Sequence, residues 1–282
     1  MSLRTDLHCH SAYSDGTCTP GEIVRMAAKA GIGLLSLTDH DTLAGVGEAV
    51  AAGKQQGGVL VLPGIEMDNE SPFELHILGL DIDPDNDALN TALRETFSRR
   101  RRRNAKILNK LREIGCDVAG RVEALTNGGI ETRMHIAIAL RDAGFAPDVT
   151  EAFKRYLNPG APAYYGEIRF TPGEVIALIK GAGGVPVLAH PCHIRQNPHR
   201  VVEELAGLGI MGLEAYYPAS TLGQTEIFVS LAAQYGLLVT CGSDFHGKNR
   251  EGTPLGCAWR DVECLRKTAA FFTERHSGQV EY

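Results

Sequence analysis

Short apolar runs alternate with helical stretches through the first third of the chain, and most of the apolar runs end in a polar residue. LRTDLHC, IGLLSLT and GVLVLPG read as strands, with TPGEIVRMAAKAG and AGVGEAVAAGKQ as helices between them. Thr19 before Pro20 fits a helix N-cap with proline at the first helical position, and Gly31 fits a stop. This alternation predicts a βα rhythm. It resumes near the C-terminus with TPGEVIALIKGAGG, GVPVLAHP, VVEELAGLG, IMGLEAYY, TEIFVSLAAQYG and LLVTCGSD. From about Asp83 to Tyr165 the pattern is helical instead, running through DALNTALRETFSRRRRRNAKILNKLREIG, a start at Thr132 before RMHIAIALRDAG, and TEAFKRYL before the Asn158-Pro159-Gly160 break. The expected organisation is a barrel from residues 1–82 and 166–282, interrupted by a helical insertion at 83–165. About seven strand-like runs are present, fewer than the eight of a standard α/β barrel.

Nine residues with metal-binding side chains recur at the ends of these runs: His8, His10, Asp15, His40, Glu66, His76, His190, Asp244 and His246. Residues two apart on a strand point to one face, so His8 and His10 can grip one ion while Cys9 turns away. Asp244 and His246 repeat that spacing after GLLVTCG. Asp15 lies in the turn SDG, His40 closes LLSLTDHD, Glu66 closes VLVLPGIE, His76 lies within ELHILGL and His190 closes GVPVLAHP. One such pair arises easily by chance. Nine residues obeying one placement rule on a parallel barrel point to a polynuclear site for hard or borderline divalent ions. Glu214 also ends a strand-like run and is a candidate for orienting a ligand. Cys9 and Cys241 read as small core residues, because the site is otherwise nitrogen and oxygen.

Composition narrows the class. With 282 residues, 44% hydrophobic and 22% charged, the chain can bury one barrel-sized core. A formal charge of -6 argues against a non-specific nucleic-acid coat, although bound divalent ions would invert the field at the site. Seven cysteines without a C-x-x-C fit free thiols in a reducing compartment better than a disulfide framework. MSLRTDLHCH leaves no room for an apolar signal segment, and no stretch reaches the length of a membrane span. The expectation is a cytoplasmic protein with no membrane association and no obligate protein partner.

The segments DLHCHSAYSDGTCTP, SLTDHDT, PGIEM, LAHP and GSDFHG together resemble the signature of the PHP (polymerase and histidinol phosphatase) family, and the resemblance covers most of the chain. It is nearest to the branch of nucleoside 3',5'-bisphosphate phosphatases and 5'-phosphate-dependent oligoribonucleotide exonucleases. The resemblance implies a distorted seven-stranded (β/α)7 PHP barrel with the helical insertion capping the active site. It also implies three divalent metal ions, with manganese first and iron or zinc as alternatives. His8, His10, Glu66 and Asp244 would hold the first ion. Glu66 would bridge to a second, held also by His76 and His190, and Asp15, His40 and His246 would hold the third. A hydroxide shared by the first two ions is then the expected nucleophile, with Glu66, His190 and Asp244 as the catalytic side chains and Asp244 orienting the attack.

Substrate recognition draws on other residues. Arg133 and His135 open a predicted helix, where backbone N–H groups already favour an anion. Thr132-Arg133-Met134-His135 resembles the Gly-Arg-Pro-His motif of related phosphoesterases with the glycine and proline lost. His193 and Arg195 follow His190 and are candidates for the same mouth. Arg99 to Arg103 reads as a solvated helix, since five consecutive residues cover every helical face. The expected activity is metal-dependent removal of the 3'-phosphate from a nucleoside 3',5'-bisphosphate, a phosphorylated nucleotide substrate. The rivals are a 5'-3' exonuclease on short RNA, a histidinol-phosphate phosphatase and a non-catalytic binding module.

Overall fold

The computed structural model describes residues 3–69, 71, 75–126, 131–166 and 170–277. Among the described residues seven strands form one sheet whose spatial order follows the chain: β1 (Arg4–Asp6), β2 (Ile32–Leu37), β3 (Leu60–Asp68), β4 (His76–Leu80), β5 (Val185–Leu188), β6 (Gly212–Tyr216) and β7 (Leu238–Cys241). The sheet curls into a nearly closed barrel. Past the ends of β1 and β7, the Leu7 N–H donates to the Cys241 carbonyl at 3.0 Å. The Asp244 N–H donates to His8 at 2.8 Å, and the His10 N–H to Phe245 at 2.9 Å. His8 and His10 therefore sit on the closing seam, beyond the regular part of β1.

The expected all-parallel barrel needs one correction. β4 runs antiparallel to both β3 and β5, while the other neighbours are parallel. A parallel crossover needs roughly a dozen residues or more. The connection 69–75 is shorter than that, so the chain reverses. The reversal also overturns the placement rule for His76, which opens its strand. Because the register pairs Asp68 with His76, the start of β4 lies at the same end of the barrel as the finish of β3.

Helices α1 (Pro20–Lys29), α2 (Val46–Gln56), α7 (Pro172–Gly181), α8 (Pro198–Leu208), α9 (Leu222–Tyr235) and α10 (Glu263–Arg275) accompany the barrel strands. Thr19 and Thr171 each cap their helix reciprocally with a glutamate three residues on, and each is followed by proline. Leu7, Leu34, Leu62, Leu78, Val185 and Val187 form one apolar cluster, closed by Phe272 of α10. Full burial of each such side chain contributes about 1.5–3 kcal/mol.

Between β4 and β5 lie α3 (Asp87–Glu113), α4 (Ala119–Thr126), α5 (Arg133–Asp142) and α6 (Val149–Ala152), ahead of α7. Their own apolar cluster joins Ile107 and Leu111 to Val122, Ile136, Leu140 and Leu157. At 27 residues, α3 spans about 40 Å. Among the described residues no helix is long and apolar enough to cross a membrane.

The arginine run on α3 is not uniformly solvated, as its sequence suggests. Arg101 and Arg102 are exposed, but Arg100 and Arg103 are buried. Arg100 donates to Asp41 in the loop after β2, and to Asp68 at the end of β3 at 3.2 Å. This pair ties α3 to the barrel, and losing the cation would strand the nearly inaccessible Asp41 carboxylate. Breaking one side of a buried pair costs about 3–5 kcal/mol. Arg100→Ala is therefore expected to lower stability by about that amount, with a matching fall in the urea midpoint. An unchanged midpoint would show that the pair contributes nothing net.

Candidate metal centre

Three carboxylates and six imidazoles from separate strand ends meet at one end of the barrel. Glu66 is at their middle. Its Oε1 lies 2.9 Å from His76 Nδ1 and 3.0 Å from His190 Nε2. Its Oε2 lies 3.1 Å from His40 Nδ1, 3.2 Å from His10 Nε2 and 3.5 Å from His8 Nε2. Asp244 Oδ1 faces His10, His8 and His246 at 3.3, 3.5 and 3.4 Å. Asp15 Oδ1 stands 3.2 Å from His246 Nε2. The sequence-predicted ligands thus all converge.

Local backbone geometry aims them. His190 and Asp244 follow β5 and β7 with φ of 28° and 51°, a region that non-glycine residues seldom occupy. Such strain persists where the surrounding structure over-determines it, commonly at functional sites. At Gly242 an added Cβ would fall 2.2 Å from both Glu214 Oε1 and His8 Cβ, so only glycine lets the β7 end pass this close.

A second ring of polar groups orients the first. Glu214, fully buried, accepts from His8 Nδ1 at 3.0 Å and from the His190 N–H at 2.7 Å. His8 therefore turns Nε2 to the centre, as a ligand requires. His246 likewise places Nδ1 2.9 Å from the Asp244 carbonyl and leaves Nε2 inward. Asp39 accepts from Ser11 and Ser14 and so anchors the loop bearing Asp15. Asp6 accepts from the Ser243 and Gly256 N–H groups beside Asp244.

The electrostatics follow from this crowding. Burial alone would push the Glu66 carboxyl up, but His40, His76 and His8 hold it well below the usual carboxylate range. Asp15 and Asp244 are held low in the same way by neighbouring imidazoles. Burial opposes charge on His10, yet its hydrogen bonds to Asp244 and Glu66 raise it to about 10. His8 is also raised well above its ordinary value, against burial, by Glu214, Asp244 and Glu66. Burial prevails at His40, which falls to about 4.

The donor set fits divalent cations. Two imidazole nitrogens, His8 Nε2 and His10 Nε2, face each other at 3.1 Å. Asp15 Oδ1 and His40 Nδ1 are buried without a hydrogen bond despite their close neighbours. Groups of ligand atoms within 4.8 Å of one another comprise His8, His10 and Glu66; Glu66, His76 and His190; His10, Asp15, His40 and His246; and His40, Asp68 and His76. Asp68 escaped the sequence reading. Its signal was the spacing Glu66-x-Asp68, which puts both carboxylates on one face of β3.

The remaining candidates divide. His193 is exposed, with Nε2 3.3 Å from the Tyr217 hydroxyl. That hydroxyl donates to Asp244 Oδ2 at 2.7 Å, and Arg250 donates to both. Neither Tyr217 nor Arg250 was singled out in the sequence, because each acquires its place through a loop. Arg195 is exposed beyond the turn at Pro191–His193. Arg133 opens α5, half-buried, while His135 is buried and accepts the Thr132 N–H through Nδ1 at 3.1 Å, capping its own helix. Cys9 and Cys241 are buried members of the apolar clusters, and their thiols donate to the Ser36 and Thr5 carbonyls.

A seven-stranded barrel carrying a histidine- and carboxylate-rich cluster at its strand ends defines an amidohydrolase-like metal-site architecture. The PHP domain model matches residues 6–158, and the chain belongs to that family. A 3',5'-nucleoside bisphosphate phosphatase of Chromobacterium violaceum is 34% identical over 92% of this chain and 96% of its own length. A 5'-3' exoribonuclease of Haemophilus influenzae is 32% identical over 93% and 94%. The structure of an amidohydrolase from Chromobacterium violaceum, solved with sulfate and without metal, superposes with a TM-score of 0.89 at 30% identity, covering 97% of each chain.

These charge states predict proton release on metal loading. Ligation requires neutral imidazole, whereas the carboxylates around His8 and His10 favour the protonated form of this pair in metal-free protein. Titrating metal-free protein with Mn²⁺ at pH 7.5 should release protons, and affinity should rise with pH. Calorimetry in buffers of different ionisation enthalpy measures the number. Release of none would contradict the charge assignment.

Proposed function

We propose that the protein is a metal-dependent phosphomonoesterase that converts nucleoside 3',5'-bisphosphates to nucleoside 5'-monophosphates and inorganic phosphate. The observation that carries this reading is the Glu66 carboxylate, shared between clusters of nitrogen and oxygen donors in a chain closely related to an enzyme of that name. His8, His10, Glu66 and Asp244 would hold one ion. Glu66, His76 and His190 would hold a second, and Asp15, His40 and His246 a third. Manganese is the ion proposed, with iron and zinc sharing its tolerance of mixed imidazole and carboxylate ligands. Divalent ions held there would supply Lewis acidity, activating the attacking water and neutralising phosphate charge.

The chain's own groups do the positioning. Asp244 presents Oδ1 to the cluster and is held through Oδ2 by Tyr217 and Arg250, so its carboxylate can orient the attacking water. Glu66 and His190 hold the opposite side. Residues 83–165 act as a cap, placing Arg133 and His135 for the phosphate that is not cleaved, with His193 and Arg195 at the mouth. A second reading, 5'-3' exonuclease action on short RNA, is favoured by the open cleft of 1150 Å³ beside the centre and by the relative in Haemophilus influenzae.

Manganese-loaded protein incubated with nucleoside 3',5'-bisphosphates, short 5'-phosphorylated RNAs and histidinol phosphate separates these activities. The expected result is fastest phosphate release from the bisphosphates, with about three ions per chain by elemental analysis. Turnover of RNA alone would replace the first reading with the second, and a single ion at saturation would remove the trinuclear assignment.

Arg133→Ala tests recognition of the uncleaved phosphate. Loss of a charge-assisted hydrogen bond worth roughly 1.5–3 kcal/mol lowers kcat/KM about 10- to 150-fold. The loss should be large for a 3',5'-bisphosphate and small for a nucleoside 3'-monophosphate, with metal content unchanged. Equal losses on both substrates would place Arg133 on the reacting phosphate or in the scaffold.

A further inference from the structure

The open cleft runs between the barrel and helices α3 to α5, and one end of it lies beside the loops after β1 and β2. Gly16, next to Asp15, lines that end, as do Asp41, next to His40, and the ring of His135. The barrel contributes Tyr13 and Leu43, α3 contributes Leu93, Arg94 and Phe97, and α4 contributes Leu125. Tyr13, Phe97 and Leu125 are 38%, 38% and 41% exposed, although large and apolar. Exposed apolar side chains gathered in one concave surface mark a ligand site more often than chance.

The charge on the helical wall identifies the ligand class. One turn after Phe97, the Arg101 guanidinium stands 5.9 Å from its ring centre. Positions 94, 97 and 101 share a helical face, on which Arg94 and Phe97 line the cleft and Arg101 neighbours the Phe97 ring. The helix carries nine lysines and arginines against three acids, in a chain whose formal charge is -6. Of the acidic groups in the lining, Asp41 is engaged by Arg100 and Glu48 accepts the Gly21 N–H, which leaves Asp85 against Arg94. Aromatic faces interleaved with cations suit flat bases joined to phosphates.

We propose that this cleft is the base-binding subsite for a phosphorylated nucleotide whose phosphate reaches the metal centre, with the base stacked against Phe97 and Tyr13. The proposal rests on the nucleotide substrate class inferred above. A binding measurement that requires no turnover lets the two fail separately. Adenosine 5'-monophosphate and ribose 5-phosphate are titrated into manganese-loaded protein by calorimetry. Adenosine 5'-monophosphate should bind more tightly than the sugar phosphate, and Phe97→Ala should weaken it about tenfold. Phe97→Tyr should restore it. The affinity for ribose 5-phosphate should stay within about twofold of the original, because stacking is a property of the base. Phe97 is partly exposed, so an unchanged melting temperature will show that its truncation leaves the fold intact.

Equal affinity of the unaltered protein for the two probes would overturn the proposal. So would equal weakening of both by Phe97→Ala. If base-dependent binding is seen and nucleoside 3',5'-bisphosphates are not hydrolysed, the subsite stands and the phosphatase assignment falls.

Discussion

One buried carboxylate, Glu66, governs the arrangement of the metal centre. Five imidazoles approach its two oxygens within 3.5 Å, and they arrive from the β1 seam and from the ends of β2, β4 and β5. An isolated carboxylate in such a place would be driven to its neutral form by desolvation. The surrounding histidines reverse that tendency and keep Glu66 ionised. The same mutual dependence raises His8 and His10, so proton and metal compete for the same nitrogens. Folding the barrel and assembling the centre are therefore one problem.

Its solution requires local departures from regular structure. His190 and Asp244 hold left-handed backbone, Gly242 admits a contact that no side chain would allow, and the chain closes through the seam between residues 7–10 and 241–246. Glu214, Asp6 and Asp39 contribute buried acceptors that fix these loops without reaching the centre themselves. Each is costly in isolation, and each is satisfied here by several donors. Rigidity at the ligands is thus supplied by hydrogen bonds one layer out.

The helices between β4 and β5 connect to this centre through charge more than through apolar packing. They have their own apolar cluster, while Arg100 crosses to Asp41 and Asp68, whose neighbours in sequence or space are His40 and His76. The barrel loops after β1 and β2 and the long α3 then leave an open cleft between them. Loops carry the chemistry and the added helices shape access to it, which is how one barrel architecture can serve different phosphoesters.

Much of this was legible in the chain. Strand-like runs ending in histidine or carboxylate located the side chains that converge, because side-chain alternation and strand ends depend on local sequence alone. Thr19 and Thr132 announced their helices by their own side chains. Other features depended on which segments meet. The reversal of β4, which brings His76 to the centre from the start of its strand, follows from a connection too short to cross over. Burial of Arg100 and Arg103 was hidden because five consecutive arginines look alike until one helical face meets the barrel. Tyr217 and Arg250 gained their places from contacts between residues far apart in the chain. Local pattern determines what each residue can offer. Only the closed barrel, with its loops and added helices, decides which offers face one another and at what distance.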